Sequence, residues 1–124
     1  MNQRRTVIVA DDEPTVLLVT QYALERAGFN VFCAENGRAA LEFFNLHSDE
    51  VCAAVLDIAM PELNGIDLCH ALRAARPDLA VILTSGYDED DSARELATHE
   101  SVRFIEKPFD LNDLVDQLSA MTSD

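Results

Sequence analysis

Residues 51–61 read Val51-Cys52-Ala53-Ala54-Val55-Leu56-Asp57-Ile58-Ala59-Met60-Pro61. Val51–Leu56 is apolar throughout and has strand length, and a strand with no polar position is one covered on both faces. It stops at Asp57, a carboxylate on an otherwise apolar strand, which needs a partner for its charge. The segment from Asp57 to Pro61 reads as a loop.

Similar runs stand on either side. Thr6–Ala10 (TVIVA) is an apolar run closed by Asp11-Asp12-Glu13-Pro14. Pro14 suits the first turn of a helix, where its missing N–H costs nothing. That helix carries Leu17 and Leu24, with Val16, Val19, Ala23 and Ala27, at helical spacing, and Gly28 stops it. Asn30–Ala34 (NVFCA) is a second strand, and Asn36-Gly37 leads into a helix with Ala40, Leu41 and Phe44 on one face. Beyond the loop, a helix from about Asp67 ends by Pro77, and Leu79–Thr84 (LAVILT) is the fourth strand. Asp88–Glu100 is the weakest helix, with an apolar face of little more than Ala93, Leu96 and Ala97. Val102–Ile105 (VRFI) is the fifth strand, and Asp110 caps a last helix bearing Leu111, Leu114, Val115, Leu118 and Met121. Strands alternating with helices imply βαβ units and a parallel sheet between helix layers. Five such units predict an α/β, flavodoxin-like, doubly wound five-stranded sheet of order 2-1-3-4-5 with five helices. The 124 residues have the length of one domain, spanning 1–124.

Nine Lys and Arg against 23 Asp and Glu give a formal net charge of −14, which argues against a nucleic-acid or anionic-membrane partner. Cys33, Cys52 and Cys69 are odd in number, lack metal-like spacing and lie in apolar contexts, so they read as reduced core or near-core residues. No apolar run approaches the roughly 20 residues that span a bilayer, and none of signal-peptide length follows the start. A cytoplasmic location is the expectation. His47, His70 and His99 lack ligand spacing and read as surface residues; the run Asp88–Asp91 reads as a solvated helix start.

In this topology ligands bind beyond the carboxyl ends of the strands, at the switch point between the first and third. Strand one ends in Asp11 and Asp12, and strand three in Asp57. Strand four ends in Thr84, Ser85 and Gly86, and strand five is followed by Lys107-Pro108. The order 2-1-3-4-5 makes these four ends neighbours. Three carboxylates brought together need a counter-charge, and hard oxygen donors in a partly open site suit Mg2+, with Mn2+ as a substitute. A carboxylate is a competent nucleophile toward phosphorus. Lys107 offers charge and Ser85 a hydrogen bond to phosphoryl oxygens, and positioning and charge are most of what phosphoryl transfer needs. Strand alternation and Gly86 favour Ser85 over Thr84 for that role.

Four motifs carry a family resemblance: Asp11-Asp12 in VIVADDEP, Asp57 in VLDIAMPELNG with Pro61 and Gly65 after it, Ser85-Gly86 in ILTSGY, and Lys107 in FIEKPF with Phe104 ahead of it. In this order, over nearly the whole chain, they resemble the receiver domains of two-component response regulators. The resemblance implies that Asp57 is the phosphoacceptor. It implies a metal held by Asp12, Asp57 and the backbone carbonyl of Ala59, with Asp11 contributing directly or through water. It makes Ser85 and Phe104 switch residues and Lys107-Pro108 a cis peptide that aims the lysine. Two positions depart from the pattern. Phe104 lacks the hydroxyl of a tyrosine, so any rotation there works through packing. Ala59 is apolar where many relatives carry a polar side chain that influences phosphoryl lifetime.

The expected function is therefore a phospho-accepting receiver. A histidine kinase or histidine phosphotransfer protein donates, and a switched surface binds a downstream protein or a fused output domain. Beyond its own phosphoryl transfer and slow aspartyl-phosphate hydrolysis, it is not expected to be an enzyme. ILTSGY is similar to the run in receivers that are fused to, or work with, sensor kinases. The expected state is a monomer or a phosphorylation-dependent dimer. Tyr87 and the weak helix after it form either a partner surface or plain surface irregularity, and phosphorylation is expected to reshape the face from strand four to the last helix. Two other classes compete. A pseudo-receiver would bind partners without phosphorylation, against which the intact Asp11, Asp12, Asp57, Ser85 and Lys107 set speaks. A phosphohydrolase of the haloacid dehalogenase type would need a second Asp where Ala59 stands.

Overall fold

The computed structural model describes residues 5–86, 95–97, 99 and 101–122. In chain order the elements are β1 (Thr6–Ala10), α1 (Pro14–Arg26), β2 (Asn30–Ala34), α2 (Gly37–His47), a 3-10 turn (Ser48–Glu50), β3 (Val51–Asp57), α3 (Gly65–Ala75), β4 (Ala80–Ser85), β5 (Val102–Glu106) and α4 (Leu111–Thr122). The five strands form one sheet in the order β2-β1-β3-β4-β5, every pair parallel. This is the flavodoxin-like arrangement that the apolar run Val51–Leu56 and its neighbours predict. Among the described residues four α-helices are complete. The helix expected over Asp88–Glu100, together with Tyr87 and the run Asp88–Asp91, lies outside the described residues apart from Glu95, Leu96, Ala97 and His99. Of these, Glu95 and Leu96 are helical, and Leu96 is buried.

Alternate residues along each strand feed two separate cores. Ile8, Ala10, Ala54, Leu56, Val81 and Leu83 pack with Ala40 and Phe44 of α2 and Leu68 and Leu72 of α3. Val7, Val9, Ala53, Val55, Ala80 and Ile82 pack with Leu17 and Leu24 of α1 and Leu114 and Leu118 of α4. Both faces of the central strands β1, β3 and β4 are dry, which is why they turn polar only at their ends, whereas the edge strand β5 carries an exposed Arg103.

Local chemistry sets the helix ends. Pro14 occupies the start of α1, and Gly28, at φ 99°, terminates it in a conformation that costs glycine little. The Asn36 side chain accepts the Ala39 N–H at 2.8 Å, and Asn64 accepts that of Asp67 at 2.9 Å. This second cap starts α3 at Gly65, ahead of the expected Asp67. Asp110 accepts the N–H of Asn112 at 2.7 Å and caps α4 as expected. The central and distal strands run one residue beyond the expected ends, because Asp57 stays paired with Thr84 and Ser85 with Glu106.

One reading of the sequence needs correction. Val19 does not belong to the buried face of α1. Leu17, Thr20 and Leu24 turn inward, whereas Val19 is 41% exposed. His47 lies at the surface as expected, its ring stacked on Phe43 and its Nδ1 2.8 Å from Glu50 Oε2. The three cysteines are free, Cys69 buried and Cys33 and Cys52 half-buried, as their apolar contexts imply.

Candidate functional site

β1 and β3 lie side by side at the centre of the sheet, flanked by β4 and β5, so their carboxyl ends open on one rim. Asp11 follows β1 directly. Its N–H donates to the Ala34 carbonyl at 3.0 Å, and its Oδ1 accepts the N–H of Glu13 at 2.9 Å, which fixes the carboxylate at the entry to α1. Asp57 is the last residue of β3, and its Oδ1 accepts the Ala59 N–H at 3.4 Å. Lys107 follows β5, with its N–H donating to the Ser85 carbonyl at 2.8 Å and the next peptide, to Pro108, in the cis form.

From there Lys107 Nζ donates to Asp11 Oδ2 at 2.7 Å and lies 3.3 Å from Asp57 Oδ2 and 3.5 Å from Glu13 Oε1. One ammonium thus serves several carboxylates. Burial, with the charge of Asp11, raises the Asp57 carboxyl above its ordinary value, against the opposing pull of Lys107. Burial works to lower the Lys107 pKa, but its hydrogen bond to Asp11 and the two aspartate charges outweigh that and hold the ammonium above the usual lysine range. The cluster keeps its lysine charged and remains short of positive charge at Asp57.

A single cation fits that shortfall. Carboxylate oxygens of Asp11, Asp12 and Asp57 lie within 4.8 Å of one another, Asp11 and Asp57 buried and Asp12 exposed. The site opens into a cleft of about 390 Å³ lined by Asp12, Glu13, Asp57, Ala59, Gly86 and Lys107. Hard oxygens on one side and open space on the other are the donor set magnesium takes, since it keeps several waters.

The structure therefore brings Asp11, Asp12, Asp57, Ala59 and Lys107 together. It places Ser85 just beneath the rim, buried at the end of β4 and outside the cleft lining. Phe104 sits half-buried on β5 and packs on the core shared with α2 and α3, away from the carboxylates. Glu13 is a site residue that the sequence reading passed over. An acid directly after the Asp pair is the signal in the sequence that points to it. Behind the acceptor strand, Gly65 is pressed against the Asp57 main chain, so that a Cβ there would stand 2.4 Å from the Asp57 carbonyl oxygen.

A family model for the response regulator receiver domain matches residues 7–119. This chain belongs to that family. Sensor kinase CckA of Brucella abortus is 37% identical to the receiver over 116 residues, covering 94% of this chain and 12% of that protein. Regulatory protein AtoC of Escherichia coli is 38% identical over 111 residues, covering 87% and 23%. The receiver thus spans less than a quarter of the length of either relative. A solved receiver domain protein from Clostridium thermocellum superposes with a TM-score of 0.85 at 28% identity, covering 94% of this chain and 93% of that one. Receivers of this kind are modules of two-component signalling, not metabolic enzymes, and the dehalogenase-type alternative falls with that assignment. Among the described residues no helix of the receiver is long and apolar enough to cross a membrane.

Proposed function

We propose that this receiver takes a phosphoryl group onto Asp57 from a phosphohistidine of a histidine kinase or phosphotransfer protein, and that the modification alters a protein-binding surface. The observation that carries the reading is Lys107 Nζ, held between Asp11 and Asp57 at the mouth of a cleft whose other wall is Asp12. An Asp57 oxygen bonds to phosphorus as the P–N bond of the donor breaks, and the electron pair stays with the departing imidazole. Burial strips water from the attacking carboxylate, and Lys107 meets the charge on one phosphoryl oxygen. Gly86 leaves room in the cleft, since among the described residues a Cβ at that position would find its nearest neighbour, Lys107 Cβ, 4.0 Å away. Ser85 would reach the phosphoryl group by a shift of the β4 end, and Phe104 would follow it by repacking, which supports a switched face along β4 and β5. Asp12, Asp57 and the Ala59 carbonyl would hold Mg2+, with Asp11 alongside; when bound, it neutralises the cluster and screens the entering phosphoryl oxygens. The apolar Ala59 side chain gives an approaching water no polar partner, so hydrolysis of the acyl phosphate is slow.

The donor's landing surface is supported by α1. Leu18 is 67% and Tyr22 62% exposed there, and a groove of about 470 Å³ runs from Val16 and Val19 past Phe109 to Gly86 and Lys107. A helical, histidine-bearing donor can bury these side chains while reaching Asp57. The downstream partner is a separate protein or a fused output domain, the compartment is the cytoplasm, and one domain spans 1–124.

The test is intact mass after incubation with acetyl phosphate, with and without Mg2+, beside Asp57→Asn. One phosphoryl group gained only with metal, and none in the variant, is expected. No gain from a chain that binds Mg2+ sinks the reading and leaves a binding module that works unmodified.

A further inference from the structure

Gly37 opens α2 and lies on none of the strand ends that form the cleft. It is buried, and its backbone is not left-handed, because among the described glycines only Gly28 has a positive φ. Space is what requires glycine there. A Cβ at position 37 would stand 2.0 Å from the Leu63 carbonyl oxygen and 2.8 Å from Leu63 Cβ. Carbon–oxygen contacts need roughly 3.3 Å, so a methyl group there drives the Leu63 main chain back by about 1 Å or more.

Leu63 belongs to the loop that carries Ala59, and that loop is internally tied. Leu63 N–H donates to the Pro61 carbonyl at 2.8 Å, Met60 to Ile58 at 3.2 Å and Gly65 to Ile58 at 3.0 Å. Glu62 holds a left-handed backbone at φ 69°, with its carboxylate 3.7 Å from Arg38 Nε of α2. The loop is thus clamped at two points. Gly65 abuts the Asp57 carbonyl, Gly37 abuts the Leu63 carbonyl, and Ala59 lies between them. The α2 side of the clamp is rigid, because Asn36 caps the helix and Ala40 and Phe44 are buried.

We infer that Gly37 is a positioning residue for the cation site. Its missing side chain lets the loop seat on α2 and so sets where the Ala59 carbonyl stands in the cleft. The inference rests on the reading of that carbonyl as a magnesium ligand.

Calorimetric titration of the full chain with MgCl2 tests it, comparing wild type with Gly37→Ala and Asn36→Ala. Asn36→Ala loosens the same helix end and lowers Tm, but leaves the Leu63 contact alone. Gly37→Ala is expected to bind Mg2+ about tenfold more weakly, the scale seen for residues that support metal ligands, with Asn36→Ala unchanged from wild type. Equal affinity in Gly37→Ala and wild type, or equal weakening in both variants, overturns the inference. A wild type that binds no Mg2+ overturns the reading beneath it, which separates the two failures. Should Gly37→Ala not fold, amide exchange in the wild type decides. Coupling is reciprocal, so Mg2+ must slow exchange at Ala39 and Ala40 as well as at Leu63. Slowing in the loop alone counts against the clamp.

Discussion

Asp57 is only 5% exposed and shares one ammonium with Asp11, so without a cation its negative charge is held at a cost. Burial and Asp11 raise its folded-state pKa above the roughly 3.9 of an unfolded aspartate. Between those two values the native protein binds more protons than the unfolded chain, so its stability falls as pH rises through that window. Above the window the penalty stands in full. Asp57→Asn removes it and leaves Lys107 its closer partner, Asp11. In metal-free buffer at neutral pH the variant is expected to melt a few degrees higher than wild type, with the gain shrinking as pH falls toward about 4. A lower Tm for the variant at neutral pH would show that the Asp57–Lys107 contact outweighs desolvation.

At the scale of elements, α1 carries a buried defect. Thr20 is fully buried, and among the described residues its Oγ1 is the buried side-chain polar atom without a hydrogen-bond partner. Thr20→Val keeps the shape and removes the orphan hydroxyl, and relieving such an atom is worth about 1 kcal/mol or more. Chemical denaturation should show the midpoint moving up with an unchanged slope; an unchanged or lower midpoint would mean that the hydroxyl is satisfied in solution. Periodicity missed Thr20 because it counts apolar residues, and α1 is apolar on more than its buried side. Leu18, Val19 and Tyr22 advertise a face that in fact meets solvent. The strands were legible for the opposite reason: a run such as Val51–Leu56 has no polar position and admits only burial on both sides. Asp11, Asp57 and Lys107 were legible because strand order alone brings their ends together. Glu13 against Lys107, Gly37 against Leu63, and the 3-10 turn Ser48–Glu50 left no such pattern. The turn is held by Arg76, which donates to the carbonyls of Ser48, at 2.8 Å, and Val51, and a single distant arginine has no periodicity to read.

Taken whole, the molecule is a strongly acidic body, at −14, with its one lysine placed in the cleft. Most of the repulsion lies among exposed groups, within reach of screening. Raising KCl from roughly 20 to roughly 500 mM, with chelator present, is expected to lift Tm by several degrees. A flat response would assign the acidic surface no part in stability.

The Lys107–Asp11 hydrogen bond joins positions 96 apart in the chain. Synthesis runs from the amino end, so a nascent polypeptide displays Asp11, Asp12 and Asp57 while Lys107 is still untranslated or inside the ribosomal tunnel. The residue that balances those acids arrives only with the edge strand β5. Within the receiver, electrostatic completion of the cleft therefore waits on its last strand, and a chain interrupted ahead of Lys107 carries the carboxylates without their counter-charge. A partner that reads the balanced site is in effect reading a receiver whose five strands are all in place.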